Sequence, residues 1–457
     1  MSRIAVDLEL VRKYNVPGPR YTSYPPATQF SDRLPVEHVL ASIRQNNQTP
    51  RDLSLYVHLP FCETLCWFCG CTTVITTDQQ KSATYIEYLG KEMALLQPWL
   101  HRERKVVQLH FGGGSPTFCP PDHLRRLGEL IHRQFTFAPE VEAGVEVDPR
   151  RLTRDHLTAL REVGFNRASI GVQDNNPIVQ KAVHRIQPLE LTTQVVEWIR
   201  AAGFTSLNVD LIYGLPFQTV ASFEKTLDQI VALNPDRFAV FSYAHVPWMK
   251  PAQKILEHEV LPSAETKLQL LKLTIEKLAA AGYVYIGMDH FARATDELAV
   301  AQRQRTLQRN FQGYSTRGGA DIYAFGMSSI SAAERTYWQN VKDLPVYYAL
   351  LEAGRLPYAR GFALSADDLI RRETIMQIMC NLVVDYAAMS ARLGVPFAEY
   401  FARELASLDD LEADGLLQRG PAALTVTELG RLFIRIIAMR FDAYLPKLKE
   451  RRHAMTV

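Results

Sequence analysis

Six cysteines are few for a chain of 457 residues, and at that density a disulfide-stapled scaffold is excluded. Apolar runs are short as well: none approaches the roughly 20 residues that a membrane-spanning helix needs. The opening MSRIAVDLELVRKYN lacks the apolar stretch and small-residue cleavage site of a secretory leader. There is no charge excess either. Lys plus Arg number 51 against 49 Asp plus Glu, with no block of either sign, so nothing electrostatic points to nucleic acid. Low-complexity tracts and strong internal repeats are missing, which argues against disordered and solenoid classes. What remains is an ordinary globular chain, 47% apolar and 22% charged. It is expected to be a cytoplasmic monomer without membrane or nucleic-acid partners, long enough for two or three structural units.

From about residue 52 one theme recurs: a short β-branched or aromatic run, a polar or Gly-rich corner, then a stretch of helical periodicity. Strands are expected at SLYVHL (54–59), VVQLHF (106–111), EAGVEV (142–147), RASIGV (167–172), SLNVDLIY (206–213), RFAVFSY (237–243) and YVYIGM (283–288). Helices are expected near 83–98, 121–134, 153–163, 188–202, 219–233 and 263–281. Apolar strands joined by right-handed crossover helices make a parallel sheet that curls into a barrel, and six or seven units make an incomplete one. The division expected is an arm over 1–48, an α/β body over 49–362 and a mostly helical, winged-helix-like piece over 363–457. PGPRYTSYPP (17–26) is too rich in proline for helix or central strand, and its plain reading is an extended linker.

Polar residues follow the strands: PFCETLCWFCGC after the first, GGGSPT after the second, Glu146 and Asp148 at the third, Gln173 and Asp174 at the fourth, Asp210 within the fifth, and His245, Asp289 and His290 after later ones. The carboxyl ends of parallel barrel strands build active sites, so these residues could converge, with helix capping or turn formation the bland alternative for each. Cys62, Cys66 and Cys69 are spaced Cys-x3-Cys-x2-Cys, a pattern that chance would produce in roughly one case in several thousand at this cysteine content. Thiolates hold iron-sulfur clusters, a 4Fe-4S cube normally takes four, and three leave one iron open. With Cys71, four thiolates could instead close a ferredoxin-type cluster or a zinc site. Cys119 and Cys380 read as buried apolar residues.

The triad after the first strand of a βα barrel resembles the defining motif of the radical S-adenosylmethionine superfamily. Within it, GPRYTSYP, SLYVHLPFC, the CGC after the triad, FGGGSPT, EVDPR, GVQD, NVDLIYGLP, GMDHFAR, DELAVAQ and RNFQGY resemble the oxygen-independent coproporphyrinogen III oxidase family over essentially the whole chain. The resemblance implies an incomplete (β/α) barrel of the radical S-adenosylmethionine type as the catalytic body. It also implies anaerobic oxidative decarboxylation of two propionates of coproporphyrinogen III to vinyl groups, giving protoporphyrinogen IX in haem synthesis. A cluster on Cys62, Cys66 and Cys69 is implied, with one S-adenosylmethionine near Tyr56, Phe68, Gly113 and Glu146. A second would meet Gly114, Ser115, Gln173, Arg185, Asp210, Ala244 and Ile330. Arg20, Tyr21, Tyr24 and Arg309 are candidates for gripping substrate propionates, and a flavodoxin or ferredoxin is the expected electron donor. Asn175 in GVQDNN and Ala324 and Phe325 in AFGMSSIS depart from the family pattern around the second cofactor. A haem-binding chaperone of the same superfamily and a non-catalytic iron-sulfur carrier are the rival readings. Cys71 and the GPRYTSYP arm speak against the chaperone, which typically lacks both.

Overall fold

The computed structural model describes residues 6–445. Six parallel strands come first: β1 (Leu53–Leu59), β2 (Lys105–Gly113), β3 (Thr136–Val147), β4 (Arg167–Gln173), β5 (Ser206–Tyr213) and β6 (Arg237–Ser242). Between and after them run α1 (Gln80–Leu96), α2 (Pro121–Gln134), α3 (Arg154–Val163), α4 (Leu189–Ala201), α5 (Val220–Ala232) and α6 (Ala264–Ala280). The helix ends are chemically marked. Thr153 and Thr219 close capping boxes, and Gly164 at φ 107° ends α3 in the left-handed region. Leu157, Leu160 and Val163 of α3 share one buried stripe, the spacing that turns a helix face onto a sheet.

The strands alternate rather than being apolar throughout. In β5, Leu207, Val209, Leu211 and Tyr213 are buried while Asn208, Asp210 and Ile212 are half-buried; β4 repeats this with Ala168, Ile170 and Val172 against Ser169, Gly171 and Gln173. With a side-chain period of two, the apolar set packs under the helices and the polar set faces the barrel interior. Register then aligns the polar set: Tyr56 pairs with His110, Glu146 with Ser169, and Gly171 with Asp210.

YVYIGM does not supply the seventh parallel strand. It forms β7 (Tyr283–Gly287), which pairs antiparallel with β8 (His290–Arg293), itself antiparallel to β6. After the hairpin β9 (Gln308–Asn310) and β10 (Gly313–Ser315), the seventh parallel strand is β11 (Asp321–Phe325), on the far side of β1. Antiparallel β12 (Ile330–Ala332), β13 (Thr336–Asn340) and β14 (Tyr358–Ala363) extend that edge. The sheet therefore has twelve strands in the order β14-β13-β12-β11-β1-β2-β3-β4-β5-β6-β8-β7, curled and open between its two edges.

The proline-rich arm is not a linker. Tyr21 and Tyr24 are 1% and 0% exposed; the Tyr21 hydroxyl donates to Asp442 at 2.8 Å, and the Tyr24 hydroxyl accepts from the Ala443 NH at 3.1 Å. Arm and C-terminal segment thus hold each other, which composition alone cannot reveal. Beyond β14 come α7 (Ala366–Asn381), short helices, a three-stranded antiparallel sheet with the hairpin Leu417–Val426, and α8 (Ile434–Met439). Among the described residues no helix is long and apolar enough to cross a membrane.

Candidate active site

The thiol loop leaves β1 at Leu59 and is pinned at both ends. Phe61 and Cys62 form a two-residue parallel ladder with Val74 and Ile75. Within the loop, the Trp67 NH donates to the Val183 carbonyl at 3.1 Å, Trp67 stacks on His184, and the Phe68 and Cys71 carbonyls accept from Gln253 (3.0 Å) and Lys250 (2.8 Å). Backbone from 59 to 62 also lies against the end of β2: the Gly114 NH donates to Leu59 O at 2.8 Å and the Ser115 NH to Phe61 O at 2.9 Å. A Cβ on Gly114 would stand 2.6 Å from the Pro60 backbone, and Gly113 adopts φ 115°, so glycine is dictated here by close approach and by conformation. The Gly113 NH donates to Glu146 Oε2 at 3.2 Å, so the NH groups of all three residues are spent within the chain.

Cys62, Cys66, Cys69 and Cys71 all line one cleft of about 190 Å³. Two guanidiniums face the central thiol: Arg150 Nη2 lies 3.5 Å and Arg185 Nη1 3.7 Å from Cys66 Sγ. Both also bind Asp148, at 2.6 and 3.4 Å. Burial alone would raise the Asp148 carboxyl, but the Arg185 charge and Arg150 hydrogen bonds hold it at about 2. Cys71 hydrogen-bonds to Cys69 and lowers its thiol to about 6, while burial pushes Cys62 up to about 12. Among the described residues no three His, Cys, Asp or Glu side chains converge on one point, as a mononuclear ion would require. A cubane takes each thiolate on a different iron, so thiols spread along a loop, with cations to offset their charge, suit a cluster.

Deeper in the barrel, Tyr56 stacks on His110 with ring centroids 5.9 Å apart, and its hydroxyl meets His58 Nδ1 at 3.2 Å. His110 Nε2 lies 3.5 Å from Glu146 Oε1. Burial would raise Glu146, yet the hydrogen bond and charge of His110 and the Gly113 NH together hold it below the usual carboxylate range. Asp210 behaves oppositely. Burial, then the Glu146 charge, pushes it up to about 7 although Asn208 (2.7 Å) and Ser169 (3.2 Å) donate to it. Arg185 Nη2 donates to the Gly171 carbonyl at 2.7 Å, and its buried Nε has no partner.

Of the residues expected around cofactors, Phe68, Gly113, Gly114, Ser115, Glu146, Gln173, Arg185 and Asp210 line the same cleft as the thiols, with Tyr56 adjoining through His110. Ala244 and Ile330 do not: Ala244 is exposed, and Ile330 packs with Phe30, Tyr337 and Leu364. Asp174 belongs to the framework, accepting from Asn176 NH, Gln218 and Thr226.

A second polar centre lies where the barrel is open. Arg20 pairs with Asp289 and covers the Phe241 ring; burial and the charges of Arg435 and Arg309 lower its guanidinium to about 10. Burial and the charges of Arg309 and Arg20 push His290 down to about 3, so it is a neutral imidazole. Arg309, 6% exposed, lies over Tyr314 with no partner for Nε or Nη1. It also lines a cavity of about 500 Å³ bordered by six arginines and three carboxylates. Sequence reasoning named Arg20, Arg309 and His290 but missed Arg435 and Arg317. The RNFQGY and GMDHFAR stretches were the available signal for two of these surroundings; Arg435 had none.

A model of the radical SAM superfamily matches residues 56–230, and one of the HemN C-terminal domain matches 364–433. The oxygen-independent coproporphyrinogen III oxidase of Escherichia coli is 46% identical over 445 residues, covering 97% of both chains. That of Pseudomonas aeruginosa is 43% identical over 459 residues, covering 100% of both. The chain belongs to the oxygen-independent coproporphyrinogen III oxidase family. A solved coproporphyrinogen III oxidase from Escherichia coli, described as a radical SAM enzyme, superposes with a TM-score of 0.92 at 44% identity, covering 97% of this chain and 100% of that one. Membership in this family implies a 4Fe-4S cluster and S-adenosylmethionine as cofactors.

Proposed function

We propose that the protein decarboxylates two propionate side chains of coproporphyrinogen III oxidatively, giving the vinyl groups of protoporphyrinogen IX. The observation that carries this reading is the convergence of three loop thiols, two arginines on the central thiol, and the carboxyls of Glu146 and Asp210 in one cleft. Cys62, Cys66 and Cys69 would hold the cluster and leave one iron for the methionine end of S-adenosylmethionine. Bound there, the pair supplies a carbon radical able to take hydrogen from an unactivated propionate C–H bond, which no side chain does.

The chain's own residues bind, orient and exclude water. Glu146, ionised, and Asp210 suit the ammonium and ribose hydroxyls of cofactor molecules, Arg185 a carboxylate, and Tyr56, Phe68 and the backbone of Gly113 flank the first molecule. Gly114, Ser115 and Gln173 serve a second. Arg20 and Arg309 meet propionate carboxylates, with neutral His290 as a hydrogen-bonding neighbour, and the packed arm keeps water from the reacting carbon. Tyr21 and Tyr24 anchor that arm. Each propionate gives up one hydrogen atom, one carbon dioxide and one further electron. An acidic electron carrier such as flavodoxin or ferredoxin supplies the reducing electron.

The test is anaerobic incubation of cluster-reconstituted, dithionite-reduced protein with coproporphyrinogen III and S-adenosylmethionine, followed by mass spectrometry. Release of two carbon dioxide molecules per tetrapyrrole is expected; tight haem binding without carbon dioxide release would overturn the reading.

A further inference from the structure

Ten large apolar side chains are exposed among the described residues, and six of them lie on the two segments that pack against the thiol loop. Ile178 and Ile186 flank one segment, 62% and 58% exposed; Trp248, Met249, Ile255 and Val260 lie on another, at 55, 68, 43 and 67%. Their neighbours in sequence point the other way. Val179, Val183 and Leu256 form a small core with Leu215 and Tyr243, and Trp67 and Phe68 of the thiol loop pack on it. That core fixes the two segments against the loop and leaves the alternate side chains outward, so sequence pattern and packing together produce an apolar face. Scattered exposed residues need no explanation, but a gathered set with a polar rim marks an interaction site.

The rim is cationic. Lys181, Lys254 and Lys342 are exposed, and Lys250 reaches back to the Cys71 carbonyl at 2.8 Å. None of the four lysines has a carboxylate partner among the described residues. Of the carboxylates on the same segments, Glu63 is engaged by Arg151 at 2.6 Å and Glu257 lies 3.6 Å from His245, while Glu259 and Asp343 have no cationic partner among the described residues, so four lysines face three acidic side chains not held by an arginine or lysine. Cys71, exposed, marks where the loop itself reaches the surface. No residue of this face borders the arginine-lined cavity, so a protein seated here would not obstruct that opening.

We propose that this face is the docking surface for an acidic, one-electron carrier protein, with Trp248 and Met249 at its centre and Lys254 and Lys342 at its rim. The inference rests on the function proposed above, which consumes an electron at the thiol loop. In the transfer the carrier is oxidised by one electron and the loop-held cluster reduced by one, with no bond made or broken. Charge complementarity governs encounter, and the apolar centre governs lifetime of the complex.

The experiment compares reconstituted protein with K254E/K342E and W248S variants, none of which alters a residue assigned to cofactor or substrate. Bleaching of the cluster absorption is followed by stopped flow with reduced flavodoxin as probe, and separately with dithionite. K254E/K342E is expected to slow the flavodoxin reaction about tenfold at low salt and to flatten its salt dependence, with the dithionite rate unchanged. W248S is expected to slow it with salt dependence retained. Carbodiimide cross-linking of flavodoxin to the cluster-free protein should recover peptides containing Lys254 or Lys342. Equal flavodoxin rates in all three proteins, cross-links confined to other faces, or a wild-type dimer that W248S dissociates would overturn the assignment. Failure to form carbon dioxide with dithionite-reduced protein would sink the proposed reaction instead, and the bleaching rates and cross-links would still decide the docking face.

Discussion

Replacing Arg309 by Met should make the ligand-free protein more stable and its tetrapyrrole binding weaker, a pairing of signs that an ordinary structural arginine would not produce. The guanidinium is buried, lies over Tyr314, and leaves Nε and Nη1 without hydrogen-bond partners. Its charge also opposes those of Arg20 and Arg435 and disfavours protonation of His290. An unsatisfied buried polar group costs about 1–3 kcal/mol, so its removal with volume kept by Met should recover about that much. A carboxylate that completes those hydrogen bonds gains about 1.5–3 kcal/mol per charged contact, which corresponds to roughly ten- to hundred-fold in Kd. Urea unfolding of the ligand-free proteins checks the first sign. Absorbance titration with coproporphyrin III, a stable tetrapyrrole bearing the same four propionates, checks the second. A less stable R309M that binds coproporphyrin III as well as the parent would refute the reasoning, because Arg309 would then be a packing residue with partners inside the chain.

Three further outcomes follow from the same geometry. Alanine at Cys62, Cys66 or Cys69 should abolish the iron and sulfide retained after anaerobic reconstitution, whereas C71S should retain them; loss in C71S would mean a site closed by four thiolates. Gly114→Ala places a Cβ 2.6 Å from the Pro60 backbone and should cost about 1–3 kcal/mol in chemical unfolding while loosening cluster retention. Glu92 concerns stability alone: burial pushes its carboxyl up to about 7 despite bonds from Tyr347, Asn340 and the Gly326 NH. Because the folded protein holds this proton more tightly than the unfolded chain, stability falls as pH rises from about 4.5 to about 7, by at most about 3 kcal/mol. E92Q should lack that part of the slope in unfolding experiments at pH 5 and pH 8; an unchanged slope would show that Glu92 does not carry it.

The parallel half of the fold was legible because each βα unit is local. Strand alternation, a capping threonine and an amphipathic stripe all fall within about 30 residues, and β1 to β6 lie where the runs of apolar residues place them. The thiol triad was legible for the same reason, since its ligands sit on one loop. What failed depends on contacts between distant segments. YVYIGM has a strand's composition, but nothing local states that β8 folds back on it, or that the short DIYAF run of β11 takes the parallel place beside β1. The arm reads as a linker until Asp442 and Ala443 arrive to bind Tyr21 and Tyr24. Arg435 lies in an apolar helix with no motif around it, and only the fold brings its charge to bear on Arg20.

The charges thus brought together divide the molecule's interior into two kinds of surroundings. Glu146 is ionised and Asp210 is held near 7 by burial and by Glu146, so the side of the thiol cleft that they form favours cations or donors, while Arg150 and Arg185 on its other side are tied to Asp148. The opening holds Arg20, paired with Asp289, and Arg309, whose Nε and Nη1 have no partner, and favours carboxylates. S-adenosylmethionine carries an ammonium and a sulfonium against one carboxylate, while coproporphyrinogen carries four carboxylates and no cation. Coulombic selection in a low-dielectric interior therefore separates the two ligands by sign before shape is read, and orients the macrocycle with its carboxylates away from Glu146 and Asp210. On this argument the propionate that reacts is the one drawn inward against that repulsion. Neutralising Asp210 as D210N should then lower the discrimination between a tetracarboxylate and its methyl ester in competition binding, and an unchanged ratio would show that shape alone does the sorting.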